Sequence, residues 1–307
     1  MTYHITDAVG NTPLVKLRKV VDDDSADVYV KLEYFNPTGS YKDRMALAII
    51  EEAEKRGDLQ KGKSVVECTG GSTGTSLAFV CSVKNYHFKV VSSDAFAAEK
   101  LHSMRLFGAD LELILSEGGK ITPNLIPDMI NRVKAIQQET GAYWPNQFEN
   151  RDALKGYQNL GNEIIRQLDK PVNVFCAAVG TAGMITGVSD ALKRVNTTTR
   201  IIGLEPASAP LISQGIKGSH KVDGVGVGFI PPLFNRSDFD DIQTVEEAEA
   251  RIMAKRLATE EGIFAGTSSG LNVAAAIRIA RQLGRGQTVV TVAVDSGMKY
   301  LAGGLFD

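Results

Sequence analysis

Short runs of β-branched and apolar residues alternate with helical patterns through almost the whole chain. Strand-like runs stand at 28–32, 64–67, 89–92, 111–115, 173–178, 200–205 and 288–294. Helix-like stretches lie between them at 43–56, 73–83, 97–107, 123–139, 153–168, 184–193, 245–261 and 269–283. Such alternation restricts the fold to mostly parallel sheets flanked by helices, an α/β architecture. Right-handed crossovers then gather the loops at the carboxyl ends of the strands. A chain of 307 residues is long for one compact domain, so two lobes are expected, with no long linker between them.

Composition removes several classes of function. A net charge of −2 provides no long-range attraction for nucleic acid or an anionic membrane. No apolar run approaches a membrane span, and the N-terminus shows no basic region followed by an apolar stretch. Three cysteines, Cys68, Cys81 and Cys176, are an odd number without framework spacing, so a reduced, cytoplasmic setting is expected. The four histidines are scattered, and neither HExxH nor paired Cys-x-x-Cys occurs, so no metal site is expected.

The stretch Asn36-Pro37-Thr38-Gly39-Ser40-Tyr41-Lys42-Asp43-Arg44 is a turn that runs into a helix. Pro37 and Gly39 favour the turn, and Ser40 is a candidate N-cap. Lys42 then falls in the first helical turn, where the positive end of the helix dipole opposes an ammonium. It is either a solvated surface residue or an amine kept neutral and reactive.

Several glycine-rich turns follow strands. In Glu67-Cys68-Thr69-Gly70-Gly71-Ser72-Thr73-Gly74 backbone N–H groups and hydroxyls converge beside a helix start, which suits a phosphate or carboxylate. It is not a P-loop, because Gly74 is followed by Thr75 rather than by Lys. Val179-Gly180-Thr181-Ala182-Gly183-Met184 is a second anion-binding candidate, without the spacing or acidic residue of a dinucleotide site. Gly224, Gly226 and Gly228 form either a strip that moves over a site or a loop needing three unusual backbone angles. Gly266-Thr267-Ser268-Ser269-Gly270 offers hydroxyls at a helix start, where a simple cap is the plain alternative. Asp295 follows the last apolar strand. A lysine, two anion turns and a hydroxyl cluster together suit pyridoxal phosphate, which needs an aldimine lysine, a phosphate cradle and a partner for its ring nitrogen.

On these motifs the chain resembles the cysteine synthase and cystathionine β-synthase family of pyridoxal-phosphate enzymes, and the resemblance runs nearly end to end. Gly10-Asn11-Thr12-Pro13-Leu14 is similar to the family's opening signature. The resemblance implies fold type II, a tryptophan synthase β-like pair of lobes with the cofactor in the cleft between them. A smaller mobile lobe is expected at 41–148, and a larger one at 1–40 plus 149–307. Too few residues follow Asp295-Ser296-Gly297 for a C-terminal regulatory domain, so none is expected.

The same resemblance makes Lys42 the Schiff-base lysine and catalytic base. It assigns Gly180, Thr181, Ala182, Gly183 and Met184 to the cofactor phosphate, and Ser268 to the pyridine nitrogen. Ser72 would touch the cofactor, while Thr69, Gly70, Gly71, Ser72, Thr73 and Gln147 would bind the substrate carboxylate. Gly224 lies in the stretch from His220 to Pro231, which resembles the loop that borders the site and shifts on closure. The implied chemistry has an amino acid displace Lys42 from the aldehyde. The Lys42 amine removes the α-proton, a β-leaving group departs to give an aminoacrylate, and a nucleophile adds. A serine at the ring nitrogen supplies no charge to keep it protonated, which favours β-elimination and replacement over transamination. The expected reaction joins O-acetylserine and sulfide to give L-cysteine. The alternatives are a β-eliminating lyase, such as a cysteine desulfhydrase or serine/threonine dehydratase, and a catalytically silent partner-binding relative. A homodimer is implied, as is a partner in the C-terminal tail of serine acetyltransferase.

The departures from the family pattern lie at the site. Its carboxylate loop usually reads Thr-Ser-Gly-Asn-Thr-Gly, so here Gly70 lacks a hydroxyl and Ser72 replaces an asparagine. Its phosphate turn usually reads Gly-Thr-Gly-Gly-Thr, so Met184 lacks a hydrogen-bond donor worth about 1 kcal/mol. The stretch Ser92-Ser93-Asp94-Ala95-Phe96 also differs from the family's apolar-Pro sequence.

Overall fold

A computed structural model describes residues 4–119, 122 and 124–303. In chain order its strands are β1 (Leu14–Lys16), β2 (Asp27–Leu32), β3 (Ser64–Cys68), β4 (His87–Ser93), β5 (Asp110–Ile114), β6 (Val174–Ala178), β7 (Arg200–Pro206), β8 (Asp241–Val245) and β9 (Thr288–Ala293). The α-helices are α1 (Lys42–Arg56), α2 (Ser72–Lys84), α3 (Ala98–Leu106), α4 (Leu125–Thr140), α5 (Asp152–Gln167), α6 (Gly183–Val195), α7 (Leu211–Gln214), α8 (Glu247–Arg256) and α9 (Thr267–Leu283).

Two units emerge. Among the described residues, the first takes 42–152 together with 4–9, and the second takes 10–41 and 153–303. The opening residues thus group with the first unit, whereas the sequence expectation placed 1–40 in the larger lobe. The first unit holds a three-stranded sheet in the order β3-β4-β5, all parallel. Its helix α1 buries Met45, Ala46, Ile49, Ile50 and Ala53, a stripe at helical spacing. Helix α2 buries Leu77, Ala78, Phe79, Val80 and Cys81 in succession, as a helix enclosed on all sides must.

The second unit holds a six-stranded sheet in the order β1-β2-β9-β6-β7-β8. Only the β1–β2 pairing is antiparallel. Every residue of β9 is buried, which is why that strand is mostly apolar on both faces, with Thr288 and Thr291 among its valines, rather than alternating. Chain order reverses beside β6, with β7 and β8 to one side and β9 to the other. Loops at the carboxyl ends of β6 and β9 therefore flank a topological switch point.

Two strands escaped the sequence pattern, as did the four-residue helix α7. β1 is only three residues long, too short for alternation to show. β8 is half-buried along most of its length, and its last residue, Val245, was expected to open the following helix. That helix is shorter than the expected 245–261. α8 ends at Arg256 and passes into a π-helical turn, Leu257–Glu261, closed by Gly262 at φ 70°. For the helix expected at 123–139, Pro123 lies outside the described residues and α4 begins at Leu125. Among the described residues, no helix is long and apolar enough to cross a membrane.

A buried ion pair ties the second unit together. Lys31 on β2 is fully buried, and its Nζ lies 2.8 Å from Glu163 Oε2 on α5. The ammonium also donates to Thr12 O at 2.5 Å and Gln167 Oε1 at 2.8 Å, and Glu163 Oε1 accepts from the Asn11 amide at 2.8 Å. Removing one partner of such a pair strands a charge in a low-dielectric setting. Glu163→Ala is therefore expected to lower unfolding free energy by about 3 kcal/mol or more, read from urea denaturation. The apolar double replacement Lys31→Met/Glu163→Leu should cost less than the single change, and the reverse order would remove the pair from this role.

Candidate active site

Lys42 opens α1 and is buried. Burial brings its ammonium down from 10.5 to about 8, and the helix dipole acts in the same direction. The amine can therefore become neutral near physiological pH, unlike one on a solvated surface. The preceding turn forms as its residues suggest. Gly39 takes φ 71°, and its N–H donates to Asn36 O at 2.8 Å. Ser40 is buried and pairs in an isolated bridge with Asp295. The Tyr41 amide donates to Val294 O at 3.0 Å. The residues just before Lys42 are thus tied to the chain that follows β9.

Residues 69–73 lead from β3 into α2. The Thr69 amide donates to Val91 O at 3.1 Å, and Thr69 Oγ1 accepts from the Gly71 amide at 3.3 Å. Gly71 is the N-cap, and Ser72 starts the helix. Thr73 Oγ1 donates to Gln147 Oε1 at 2.6 Å, with both side chains buried. The structure therefore brings Gln147 to the loop from 74 residues away. With its carbonyl oxygen engaged, the Gln147 amide Nε2 is the group able to donate to a carboxylate.

Beneath this pair lies Glu67, read from sequence only as the start of the loop. Its Oε2 accepts from the Gln147 amide at 3.2 Å, and its Oε1 accepts from Trp144 Nε1 at 3.0 Å and the Cys68 amide at 2.9 Å. Burial pushes its carboxyl up to about 7, against the hydrogen bonds from Trp144 and the backbone. A carboxylate inside the apolar strand Val65-Val66-Glu67-Cys68 was the available signal, since such a group needs partners when buried.

In the second unit, β6 runs through Gly180 and Thr181 to α6, whose N-cap is Ala182 at φ 66°. That left-handed angle costs a residue with a Cβ about 1 kcal/mol or more. The family pattern has glycine there, so this chain keeps the backbone shape at the price of strain. A left-handed residue ahead of a helix start turns successive N–H groups toward one point, which suits an anion. A Cβ on Gly180 would lie 2.3 Å from Gly224 O. The structure thus brings Gly224 against the phosphate-turn candidate, and only glycine permits that approach. Gly224, Gly226 and Gly228 have φ of 78°, 55° and 83°, the three unusual angles that the sequence left as one option. Thr186 Oγ1, in the first turn of α6, is buried with no hydrogen-bond partner among the described residues. Met184 is buried at the second helical position.

Ser268 is the second residue of α9 and is buried. The start of α9 is pinned to the end of β9. Gly266 N donates to Asp295 O at 3.3 Å, and Ser269 Oγ accepts from the Val294 amide at 3.0 Å. Asn272, unremarked in the sequence, clasps both switch-point strands. Its Oδ1 accepts from the Ala178 amide at 2.8 Å, and its Nδ2 donates to Val292 O at 2.8 Å. Only the folded sheet shows this, because an Asn inside a helical pattern carries no such signal.

Each unit carries groups that suit pyridoxal phosphate. The first has a buried amine tending to neutrality, and the second has a helix start with a close-approach glycine and a spare buried hydroxyl, and a serine at another helix start. The sequence matches the family described as pyridoxal-phosphate dependent enzyme over residues 5–295. A cysteine synthase of Staphylococcus aureus is 42% identical over 305 residues, covering 99% of this chain and 96% of that one. The crystal structure of a hydrogen sulfide-producing enzyme from Fusobacterium nucleatum matches with a TM-score of 0.90 at 37% identity, covering 98% of each chain. That of a cysteine synthase from Entamoeba histolytica matches with a TM-score of 0.92 at 33% identity, covering 100% of this chain and 91% of that one. The site motifs, the parallel-dominated α/β fold and these relatives agree, and the chain belongs to the pyridoxal-phosphate-dependent enzyme family, beside the cysteine synthases.

Proposed function

We propose that the protein catalyses β-replacement on an activated serine, joining O-acetylserine and sulfide to give L-cysteine. The observation that carries the catalytic assignment is the buried Lys42 amine, brought down to about 8 at a helix start. The choice of substrate is supported by the 42% identity to a cysteine synthase over 99% of the chain.

Bound pyridoxal phosphate supplies an aldehyde for covalent attachment and a ring that withdraws electrons from the substrate's α-carbon. In this reading Lys42 Nζ would hold the cofactor covalently and would serve as the base for the substrate's α-proton. Gly180, Thr181, Ala182, Gly183 and Met184 hold the phosphate through backbone N–H groups and the Thr181 hydroxyl. Ser268 meets the ring nitrogen without a charge. Thr69, Gly70, Gly71, Ser72 and Thr73 take the substrate carboxylate with Gln147, whose Nε2 is left to donate by the Thr73 bond, and Ser72 also meets the cofactor. Gly224 borders the site. The proposal extends to a cytoplasmic homodimer able to take the C-terminal tail of serine acetyltransferase, on the family resemblance and the cysteine usage.

A second reading, β-elimination, is favoured by the 37% identity to a hydrogen sulfide-producing enzyme and by the glycine at position 70. Product analysis separates the two. With O-acetylserine and saturating sulfide, cysteine is the expected product, and pyruvate with ammonia as the main products would establish elimination.

Lys42→Ala is expected to lower kcat by roughly 10²–10⁴-fold and to abolish the visible absorbance of the attached cofactor. Retention of that absorbance would place the covalent link elsewhere. Cofactor loading should also depend on pH. Only the neutral amine attacks an aldehyde, and the neutral fraction grows as pH rises through the amine's pKa. Uptake of pyridoxal phosphate by stripped protein should therefore rise with pH, with its midpoint near 8, where burial places the amine. A midpoint near 10.5, the ordinary lysine value, would mean that the amine is solvated.

A further inference from the structure

Two departures from the family pattern meet in space. Gly70, where the family carries a hydroxyl side chain, lies under Phe96, in a stretch that also departs from that pattern. A Cβ on Gly70 would fall 2.0 Å from Phe96 Cγ and 2.2 Å from each of Cδ1 and Cδ2. Equal distances to both Cδ atoms put that point over the face of the ring, so the ring lies flat against the Gly70 backbone. Gly70 has no positive φ. Space, not backbone angle, makes glycine necessary there.

The ring is held from below. The Phe96 amide donates to Ser93 O at 3.2 Å, and the Ala95 amide donates to Ser93 Oγ at 3.2 Å. Asp94 Oδ1 accepts from Ser93 Oγ at 3.1 Å and from the Ser116 amide at 2.7 Å. Phe96 itself packs half-buried on the apolar cluster containing Val66, Cys68 and Val91. At the next residue, a Cβ on Gly71 would meet nothing within 4 Å. The aromatic contact is thus specific to Gly70.

We propose that Phe96 is a positioning residue for the amino-acid substrate, its ring seated over Gly70 so as to hold residues 69–72 in one conformation where Gly70 has no side chain of its own. This rests on the proposed role of residues 69–73 in binding the substrate carboxylate. Two successive glycines lose more backbone freedom on ordering than any other pair, so an unbraced loop must be ordered by the substrate itself. The brace acts on substrate binding, and the cofactor stays attached through Lys42, which lies outside the braced loop.

The test compares four holoenzymes: wild type, Phe96→Ala, Gly70→Ser and the double variant, by steady-state kinetics and by spectral titration with O-acetylserine and a panel of other amino acids. Phe96→Ala is expected to raise KM for the amino acid roughly tenfold, with kcat within about twofold and the cofactor absorbance unchanged. Gly70→Ser drives its Cβ into the ring and should lower kcat/KM roughly tenfold or more, and adding Phe96→Ala should recover most of that loss. If Phe96→Ala does not retain cofactor, Phe96→Leu, which lacks the flat face, carries the same comparison. An unchanged KM in the Phe96 variant, or a double variant no better than Gly70→Ser, overturns the assignment. A wild-type protein responding to another amino acid but not to O-acetylserine overturns the substrate reading alone, and the four-way comparison is then made with that amino acid. A wild type responding to none overturns both.

Discussion

Burying a lysine amine at the positive end of a helix is the constraint around which the first unit is arranged. Water no longer stabilises the ammonium, and the helix dipole opposes it, so the neutral form gains ground. Lys42 is held there by backbone on its N-terminal side, where the Tyr41 amide is bonded to Val294 O. On its C-terminal side the apolar stripe of Met45, Ile49 and Ile50 anchors α1. A flexible surface lysine would escape to water and recover its ordinary affinity for a proton. Here the chain on either side is committed to other contacts.

Close approach recurs wherever candidate ligand groups are presented. Gly180 admits Gly224 O, Gly70 admits the Phe96 ring, and Gly74 faces the end of Met104. In the first two cases the missing Cβ lets backbone or aromatic surface lie directly against a turn that precedes a helix, and in the third it admits a thioether to the first turn of α2. Ala182 shows the opposite solution, a residue with a side chain held at φ 66° to preserve the direction of neighbouring N–H groups. The strain is tolerated because α6 and β6 fix the backbone on both sides of it.

Polar side chains buried under these turns do a different task. Glu67 collects the amides of Cys68 and Gln147 and the indole of Trp144, and Asn272 joins the strand ends at Ala178 and Val292. Neither is placed to touch a ligand by any contact seen here. Each sets the position of a neighbour that carries a candidate role, Gln147 in one case and the start of α9 beside Ser268 in the other. Their satisfied hydrogen bonds make such burial affordable.

The alternation of apolar runs and helical periods determined the α/β class by itself, because strand and helix periodicities are local properties of the chain. Residue types at the strand-to-helix junctions likewise drew notice to Lys42, the turns at 69–73 and 180–184 and the hydroxyl cluster at 266–270, since glycines, hydroxyls and a lysine are legible one residue at a time, whereas the choice of Ser268 within that cluster came from the family resemblance. β1 and β8 were lost because short or half-buried edge strands carry little pattern. Only the tertiary structure decided which distant residues meet: Thr73 with Gln147, Gly180 with Gly224, Gly70 with Phe96, and Asn272 with two strands. Those contacts depend on sheet order and on the space left by absent side chains, and neither is encoded within a window of neighbouring residues.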